Sequence, residues 1–259
     1  MADIEFKGRV AIVTGAGGGL GRQHALALAA RGANVLVNDL GGAVDGSGGT
    51  AGAAQKVVDE IRAAGGEALA NAASVTDFAA VEAMVQQAID AWGRVDVLVN
   101  NAGILRDKSF AKMNMDDFRL VVDVHLMGAA YCCKAVWPHM VAQQYGRIVM
   151  TTSSTGLYGN FGQSNYGAAK LAQVGLMQTL ALEGAKHNIH VNALAPTAAT
   201  RMTEGLMPQE VLDALKPEAV VPAMLVLAHE SAPTRTILCA GAGTFEAAHI
   251  TLTQGVHLG

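Results

Sequence analysis

Short runs of apolar or β-branched residues alternate along this chain with longer stretches of helical periodicity, and that alternation restricts the fold more than any other feature. The expected strands are Arg9–Val13, Asn34–Asn38, Glu67–Asn71, Val95–Val99, Arg147–Thr151, Ile189–Leu194 and Ile237–Ala240, with helical patterns at 19–31, 51–64, 77–91, 116–143, 164–186 and 208–229. Most of the strands are continuously apolar instead of alternating, the pattern of parallel strands covered on both faces. Strands that alternate with helices imply right-handed crossovers, and so an α/β, doubly wound parallel sheet of about seven strands. No internal repeat or linker divides the chain. The glycine-rich piece Gly41–Gly52 follows a strand and reads as a loop, so residues 1–259 are expected to form a single domain.

Composition narrows the options. Charged residues make up 15% and apolar residues 51%, against a typical charged share of roughly 25%. Either strands are buried on both faces or other subunits cover part of the surface. A homodimer or homotetramer is therefore expected, since closed symmetric assemblies predominate. A net charge of −4, with no lysine- or arginine-rich run, gives no field for nucleic acid. Met1–Val10 holds no apolar stretch behind a basic head, so no secretory signal is visible. The apolar run Ala219–Ala228 is broken by Pro222 and is too short to span a bilayer. Three cysteines, two of them adjacent (Cys132, Cys133), make no disulfide framework and read as small hydrophobes in a helix. No membrane contact and no metal site are expected, and a cytoplasm is the expected compartment.

The first strand runs into Thr14-Gly-Ala-Gly-Gly-Gly-Leu-Gly21, and a helix begins there. Glycines in such a turn let the backbone come close to a pyrophosphate, whose charge meets free N–H groups at the helix start. Following the first strand and opening the first helix, the motif has the position of a Rossmann dinucleotide fingerprint. Gly15, Gly19, Leu20 and Gly21 are its expected cofactor contacts. Asp39 ends the second strand, about 20 residues further on, where a carboxylate accepts hydrogen bonds from both adenosine-ribose hydroxyls and repels a 2′-phosphate. Arg22 follows the last glycine and is expected to point along the helix. NAD is therefore the expected cofactor, ahead of NADP.

Tyr166-Gly-Ala-Ala-Lys170 falls in a helical stretch, which sets the two side chains one turn apart on one face. Ser153 lies just after the strand Arg147–Thr151. Together with Thr14–Gly21 and Asn100-Asn-Ala-Gly103, these residues resemble the short-chain dehydrogenase/reductase family over nearly the whole chain. The resemblance implies that Tyr166 is the general acid/base, that Ser153 orients the reacting carbonyl or hydroxyl, and that Lys170 holds the nicotinamide ribose. It also implies cofactor contacts at Ser74, Val75, Asn101, Thr197 and Thr200. A free tyrosine has a pKa near 10, so a base working near neutrality needs a shift of roughly 3 units. The Lys170 ammonium and the positive nicotinamide are the expected sources of that shift.

Further segments resemble the (3R)-hydroxyacyl-CoA dehydrogenase unit of peroxisomal multifunctional enzymes. They are Val37-Asn-Asp-Leu-Gly-Gly42, Asn101-Ala-Gly-Ile-Leu-Arg-Asp107, Tyr158-Gly-Asn-Phe-Gly-Gln-Ser-Asn-Tyr166, Asn188-Ile-His190 and Arg201-Met-Thr-Glu204. The last three residues, His257-Leu-Gly259, are not a peroxisomal address, which favours a bacterial cytoplasm. Three departures from the family pattern stand out. His125 occupies the place where many members have a proton-relaying asparagine, and it reads either as a relay or as a histidine satisfied inside a helix. The family's Pro-Gly after the sixth strand is Pro196-Thr197 here. The segment Ala240–Gly259 has no assigned chemistry, though a subunit contact or a substrate wall would suit it. The stretch 200–217, with Met202, Leu206, Met207 and Leu212, is expected to form a lid over the substrate, the alternative being a surface helix with an apolar underside.

The resulting expectation is NAD-linked oxidation of a 3-hydroxyacyl-CoA to the 3-oxoacyl-CoA. Its rivals are a hydroxysteroid or secondary-alcohol dehydrogenase, an NADPH-linked 3-oxoacyl-carrier reductase, and a catalytically silent dinucleotide-sensing protein. Asp39 argues against the reductase, and the intact Ser153, Tyr166 and Lys170 argue against the sensor.

Overall fold

Apolar strands with helices between them resolve into one eight-stranded sheet in the computed structural model, which describes residues 4–48, 52–199 and 209–258. The strands are β1 (Val10–Thr14), β2 (Asn34–Asn38), β3 (Ala68–Asn71), β4 (Val97–Asn100), β5 (Gly146–Thr151), β6 (Ile189–Thr197), β7 (Ile237–Gly241) and β8 (Thr244–Ala248). Their order across the sheet is β3-β2-β1-β4-β5-β6-β7-β8, parallel up to β7, with β8 antiparallel at the edge. The helices are α1 (Gly19–Ala29), α2 (Gly52–Ala63), α3 (Phe78–Trp92), α4 (Met115–Val122), α5 (Gly128–Gln143), α6 (Ser154–Tyr158), α7 (Ser164–Gly184), α8 (Gln209–Ala214) and α9 (Val221–Ala228).

Each central strand feeds two cores. Ala11 and Val13 of β1 point into the layer made with α1, α2 and α9. Val10 and Ile12 point the other way, into the layer made with α3, α5 and α7. The result is a single doubly wound α/β domain. Its strand order reverses between β1 and β4, and the crevice above their carboxyl ends is where such sheets bind ligands.

Four details differ from the sequence reading. The sheet has eight strands, because Ala242 and Gly243 both take positive φ (48° and 76°) and fold the chain back as a two-residue hairpin. Such turns favour Asn-Gly or Asp-Gly, so Ala-Gly gave little warning. The pattern at 208–229 divides into α8, a 3₁₀ turn at Pro217–Val220 and α9, because Pro217 and Pro222 lack the N–H a continuous helix requires. The stretch 116–143 is interrupted by a π-helical turn, Asp123–Met127, between α4 and α5. Helix α6 was not anticipated; Ser153 caps it by accepting from the N–H of Thr155 at 3.1 Å. The stretch Met115–Gln143 is long and apolar enough by composition to cross a membrane. It packs instead into the second core through Ala129, Cys132, Val136 and Met140. Cys132 and Cys133 are buried there, and burial holds both thiols well above their ordinary range, the second at about 12.

Candidate active site

The turn after β1 explains its glycines by distance. A Cβ on Gly15 would stand 2.7 Å from Ala102 Cα, and one on Gly21 would stand 2.3 Å from the carbonyl oxygen of Gly15. Gly15 and Gly19 also take positive φ, 62° and 51°. Gly18 caps α1 without a side-chain bond, and nothing lies within 4 Å of the position its Cβ would take. The start of α1 is therefore open, and no acidic residue occupies its first turn. That is the cradle a pyrophosphate needs. Thr14 and Asn101 hold it in place: the Thr14 hydroxyl accepts from the N–H groups of Asn101 and Ala102, while the Asn101 amide donates to the carbonyls of Thr14 and Gly15.

Asp39 sits at the end of β2 facing this turn. One carboxylate oxygen accepts from Gly17 N–H at 2.7 Å and the other from Gly41 N–H at 2.6 Å. A side chain at position 17 would run into that carboxylate, because its Cβ would lie 2.8 Å away. Arg22 is turned aside and forms a forked pair with Glu60.

From Asp39 a cavity of about 750 Å³ runs across the strand ends to Ser153, Tyr166 and Lys170. Gly15, Gly19, Leu20, Asp39, Ser74, Val75, Asn101, His125 and Thr197 also line it. Gly21 does not; it is buried beneath the turn, where only glycine fits. Asn101 lines the cavity, but its amide N–H groups are committed to the loop. Thr200 and the first part of the expected lid, 200–208, lie outside the described residues. The far end of that segment is fastened to the chain just beyond β6, since Ala199 N–H donates to the carbonyl of Leu215 at 2.6 Å.

At the catalytic end, Ser153 and Tyr166 line the same part of the cavity, with the serine placed to pull the tyrosine hydroxyl downward. Lys170 Nζ donates to the carbonyl of Thr151 at 2.5 Å and lies 5.4 Å from the Tyr166 ring centre. His125 meets Tyr166 edge to face, with ring centres 5.2 Å apart. Its Nε2 lies 3.0 Å from Ile104 N and 2.8 Å from Ile104 O. Burial dominates the electrostatics. It pushes the Lys170 ammonium down to about 7 and His125 well below its ordinary value. Burial likewise raises the Tyr166 hydroxyl; Ser153 pulls against this, and the Asp107 carboxylate adds to it. Of the two expected sources of a lowered Tyr166, the Lys170 ammonium and the positive nicotinamide, the first does not act in the protein by itself. An ammonium so poorly solvated is itself unfavourable, and the protein by itself keeps the tyrosine protonated.

Sequence reasoning missed the wall on the β2 side. The loop after Asp39 folds over the cavity and is tied down by Leu105 N–H to Val44 O at 2.9 Å and by Arg106 to Asp45 O at 2.6 Å. It also missed Gln163, which donates to Asp107 at 2.7 Å and accepts from Thr155 and Asn160. Neither segment carries a periodic signal; only the tertiary fold brings them together. Among the described residues, no group of three His, Cys, Asp or Glu side chains converges as a metal site would require.

The family described as short chain dehydrogenase matches residues 9–211. The chain belongs to that family. As a short chain dehydrogenase it is an oxidoreductase acting on CH–OH groups, with a nicotinamide dinucleotide as cofactor. This dehydrogenase is 56% identical over 229 residues to the peroxisomal hydratase-dehydrogenase-epimerase of Saccharomyces cerevisiae, covering 88% of this chain and 25% of the yeast protein. It therefore spans about a quarter of that relative's length. A short-chain type dehydrogenase/reductase of Mycobacterium tuberculosis is 53% identical over 236 residues, 91% of this chain and 82% of the relative. Among solved structures, full-length peroxisomal multifunctional enzyme type 2 of Drosophila melanogaster superposes with a TM-score of 0.81 at 44% identity, covering 98% of this chain and 42% of that one. A 7α-hydroxysteroid dehydrogenase solved with NADH and 7-oxo glycochenodeoxycholic acid gives 0.83 at 31% identity, covering 93% and 95%.

Proposed function

We propose that this dehydrogenase uses NAD to oxidise the 3-hydroxyl of a fatty or sterol side-chain acyl-CoA to the 3-oxoacyl-CoA. The observation that carries the reading is the single cavity joining Asp39 at one end to Ser153, Tyr166 and Lys170 at the other. Asp39 receives the adenosine ribose, the turn Gly15–Gly21 the pyrophosphate, and Ser74, Val75, Asn101 and Thr197 flank the cofactor. The bound nicotinamide supplies the acceptor for hydride leaving C3. Ser153 orients the substrate hydroxyl, and Tyr166 Oη takes its proton. Because burial keeps Tyr166 protonated, its own proton has to move on as the substrate's arrives. Lys170 Nζ, which titrates near 7, is suited to receive it. His125 stands beside Tyr166 as a second relay group.

NAD over NADP is supported by the Asp39 carboxylate and by the engagement of Arg22 with Glu60. An acyl substrate is supported by the segments that resemble the (3R)-hydroxyacyl-CoA dehydrogenase unit and by exposed apolar side chains near the mouth. Tyr158 lines the cavity, while Phe110 and Phe161 flank the bridge between Lys108 and Gln163. The likeness to the 7α-hydroxysteroid dehydrogenase favours a second reading, oxidation of a free secondary alcohol. We read 200–217 as a lid. Leu171, Leu182 and Val226 are exposed apolar residues on helices that suit a homodimer or homotetramer. The expected cytoplasmic site stands against relatives whose names place them in peroxisomes, and imaging of the tagged chain in its own cell decides between them.

Steady-state rates with NAD⁺ and NADP⁺ across 3-hydroxyacyl-CoA, 3-hydroxyacyl-carrier and free secondary alcohols test the reading. The acyl-CoA with NAD⁺ should give the highest kcat/KM. A free steroid alcohol that outruns every thioester, or efficient NADPH-linked reduction of a 3-oxoacyl carrier, would overturn it.

A further inference from the structure

Turns with i→i+5 hydrogen bonds are rare in helices, because they widen the coil and disturb the regular ladder of carbonyls. The turn Asp123–Met127 does this in the middle of an apolar helical stretch, and His125 is at its centre. Its backbone carbonyl accepts a hydrogen bond from the side chain of Gln173 at 2.8 Å. Gln173 is 1% exposed and belongs to α7, three residues after Lys170. Its neighbours on that buried stripe include Ala169, Val174 and Met177, where an amide is costly unless something uses it. The His125 ring has almost no freedom. A Cβ on Gly103 would lie 2.3 Å from its Cε1, and Nε2 is held at Ile104. Two buried polar atoms of this cluster, His125 Nδ1 and Gln173 Oε1, have no protein partner. Buried groups left so are exceptional and call for a reason, a catalytic role among them.

We propose that Gln173 is a positioning residue: by holding the carbonyl of His125 it maintains the π turn and seats the His125 ring edge-on against Tyr166. It touches neither substrate nor cofactor and acts only through His125. The proposal rests on Tyr166 and His125 handling the proton, as argued above.

The test compares Gln173→Met, which keeps the volume but removes the donor, in the wild-type and His125→Asn backgrounds; Gln173→Leu stands in should the methionine variant not fold. In the wild-type background kcat should fall about tenfold, equivalent to about 1.4 kcal/mol of barrier. KM and the NADH dissociation constant, read by fluorescence, should stay within about twofold. With His125 already replaced, the second change should leave kcat within about twofold. Amide exchange at residues 124–128 should quicken about tenfold or more in Gln173→Met with no substrate present. An equal loss of kcat in both backgrounds would mean a general structural role and would overturn the proposal, as would an unchanged kcat in the first. Failure of the functional reading shows separately, as wild type that turns over no 3-hydroxyacyl-CoA. The comparison of backgrounds then runs on whichever alcohol is oxidised, and the exchange measurement stands regardless.

Discussion

Replacing Lys170 by methionine should stabilise this dehydrogenase while destroying its activity. Lys170 is 2% exposed, and burial lowers its ammonium from an ordinary 10.5 to about 7. Between those values the unfolded chain keeps a proton that the folded chain gives up, so stability rises with pH from 7 to 10.5 and is lowest below 7. The interval is about 3.5 units, and at 1.36 kcal/mol each it amounts to about 5 kcal/mol as a ceiling. Methionine removes that cost, but it also removes the hydrogen bond to the Thr151 carbonyl, a loss of about 1–3 kcal/mol. A net gain of about 2–4 kcal/mol at pH 7 follows, or roughly 5–15 °C in Tm for a domain of this size. Calorimetry of both proteins from pH 7 to 10 provides the assay, with turnover measured on the same samples. The Tm gap should be widest at pH 7 and close toward pH 10, since other groups titrate alike in both. A variant that melts below wild type at pH 7, or a gap that ignores pH, would refute the reasoning.

Tyr166→Phe keeps the ring and removes the titrating hydroxyl, so kcat should drop at least about 10²-fold with NADH binding by fluorescence nearly unchanged; near-normal turnover would remove Tyr166 from the chemistry. Wild type should prefer NAD⁺ to NADP⁺ by at least about 10²-fold in kcat/KM, because two like charges about 4 Å apart repel by roughly 4 kcal/mol near a protein surface. Asp39→Ser should narrow that gap in paired cofactor titrations, and equal efficiency in wild type would defeat the assignment. His24 of α1 is fully buried with neither ring nitrogen partnered, and burial lowers it to about 4. Its neutral form stabilises the fold above pH 6.5, and about 3 kcal/mol is lost as pH falls from 6.5 toward 4. His24→Leu should flatten the acid limb of a denaturation series over that range; an unchanged limb would clear His24 of the effect.

Much of this architecture was legible because its strands are apolar on both faces and its phosphate turn is built from glycine. Tyr166 and Lys170 pair by spacing along one helix, Asp39 is marked by its place after the second strand, and the role expected of Ser153 comes with the family resemblance. What stayed hidden depends on distance between elements. The π turn at His125 has no local signature, since Asp123–Met127 reads as ordinary helix; Gln173 on another helix and Gly103 on a loop meet it there. The eighth strand was obscured by Ala242 in a conformation that residue seldom takes. The weakness of Lys170 as a charge partner for Tyr166 was hidden for a related reason: spacing places a lysine one turn away, but only burial says whether its charge survives there.

The grip of Asp39 on Gly17 and Gly41 has an evolutionary side. The carboxylate that we propose discriminates between cofactors also staples the phosphate turn to the loop that covers the cavity. A lineage drifting toward the other cofactor cannot simply discard it, because the same step unfastens the two segments it joins. Such a change has to arrive with a replacement for those two backbone contacts, and each intermediate without one leaves the turn and the loop unjoined at Asp39. On the proposed reading, cofactor choice in this scaffold is thereby tied to its loop architecture.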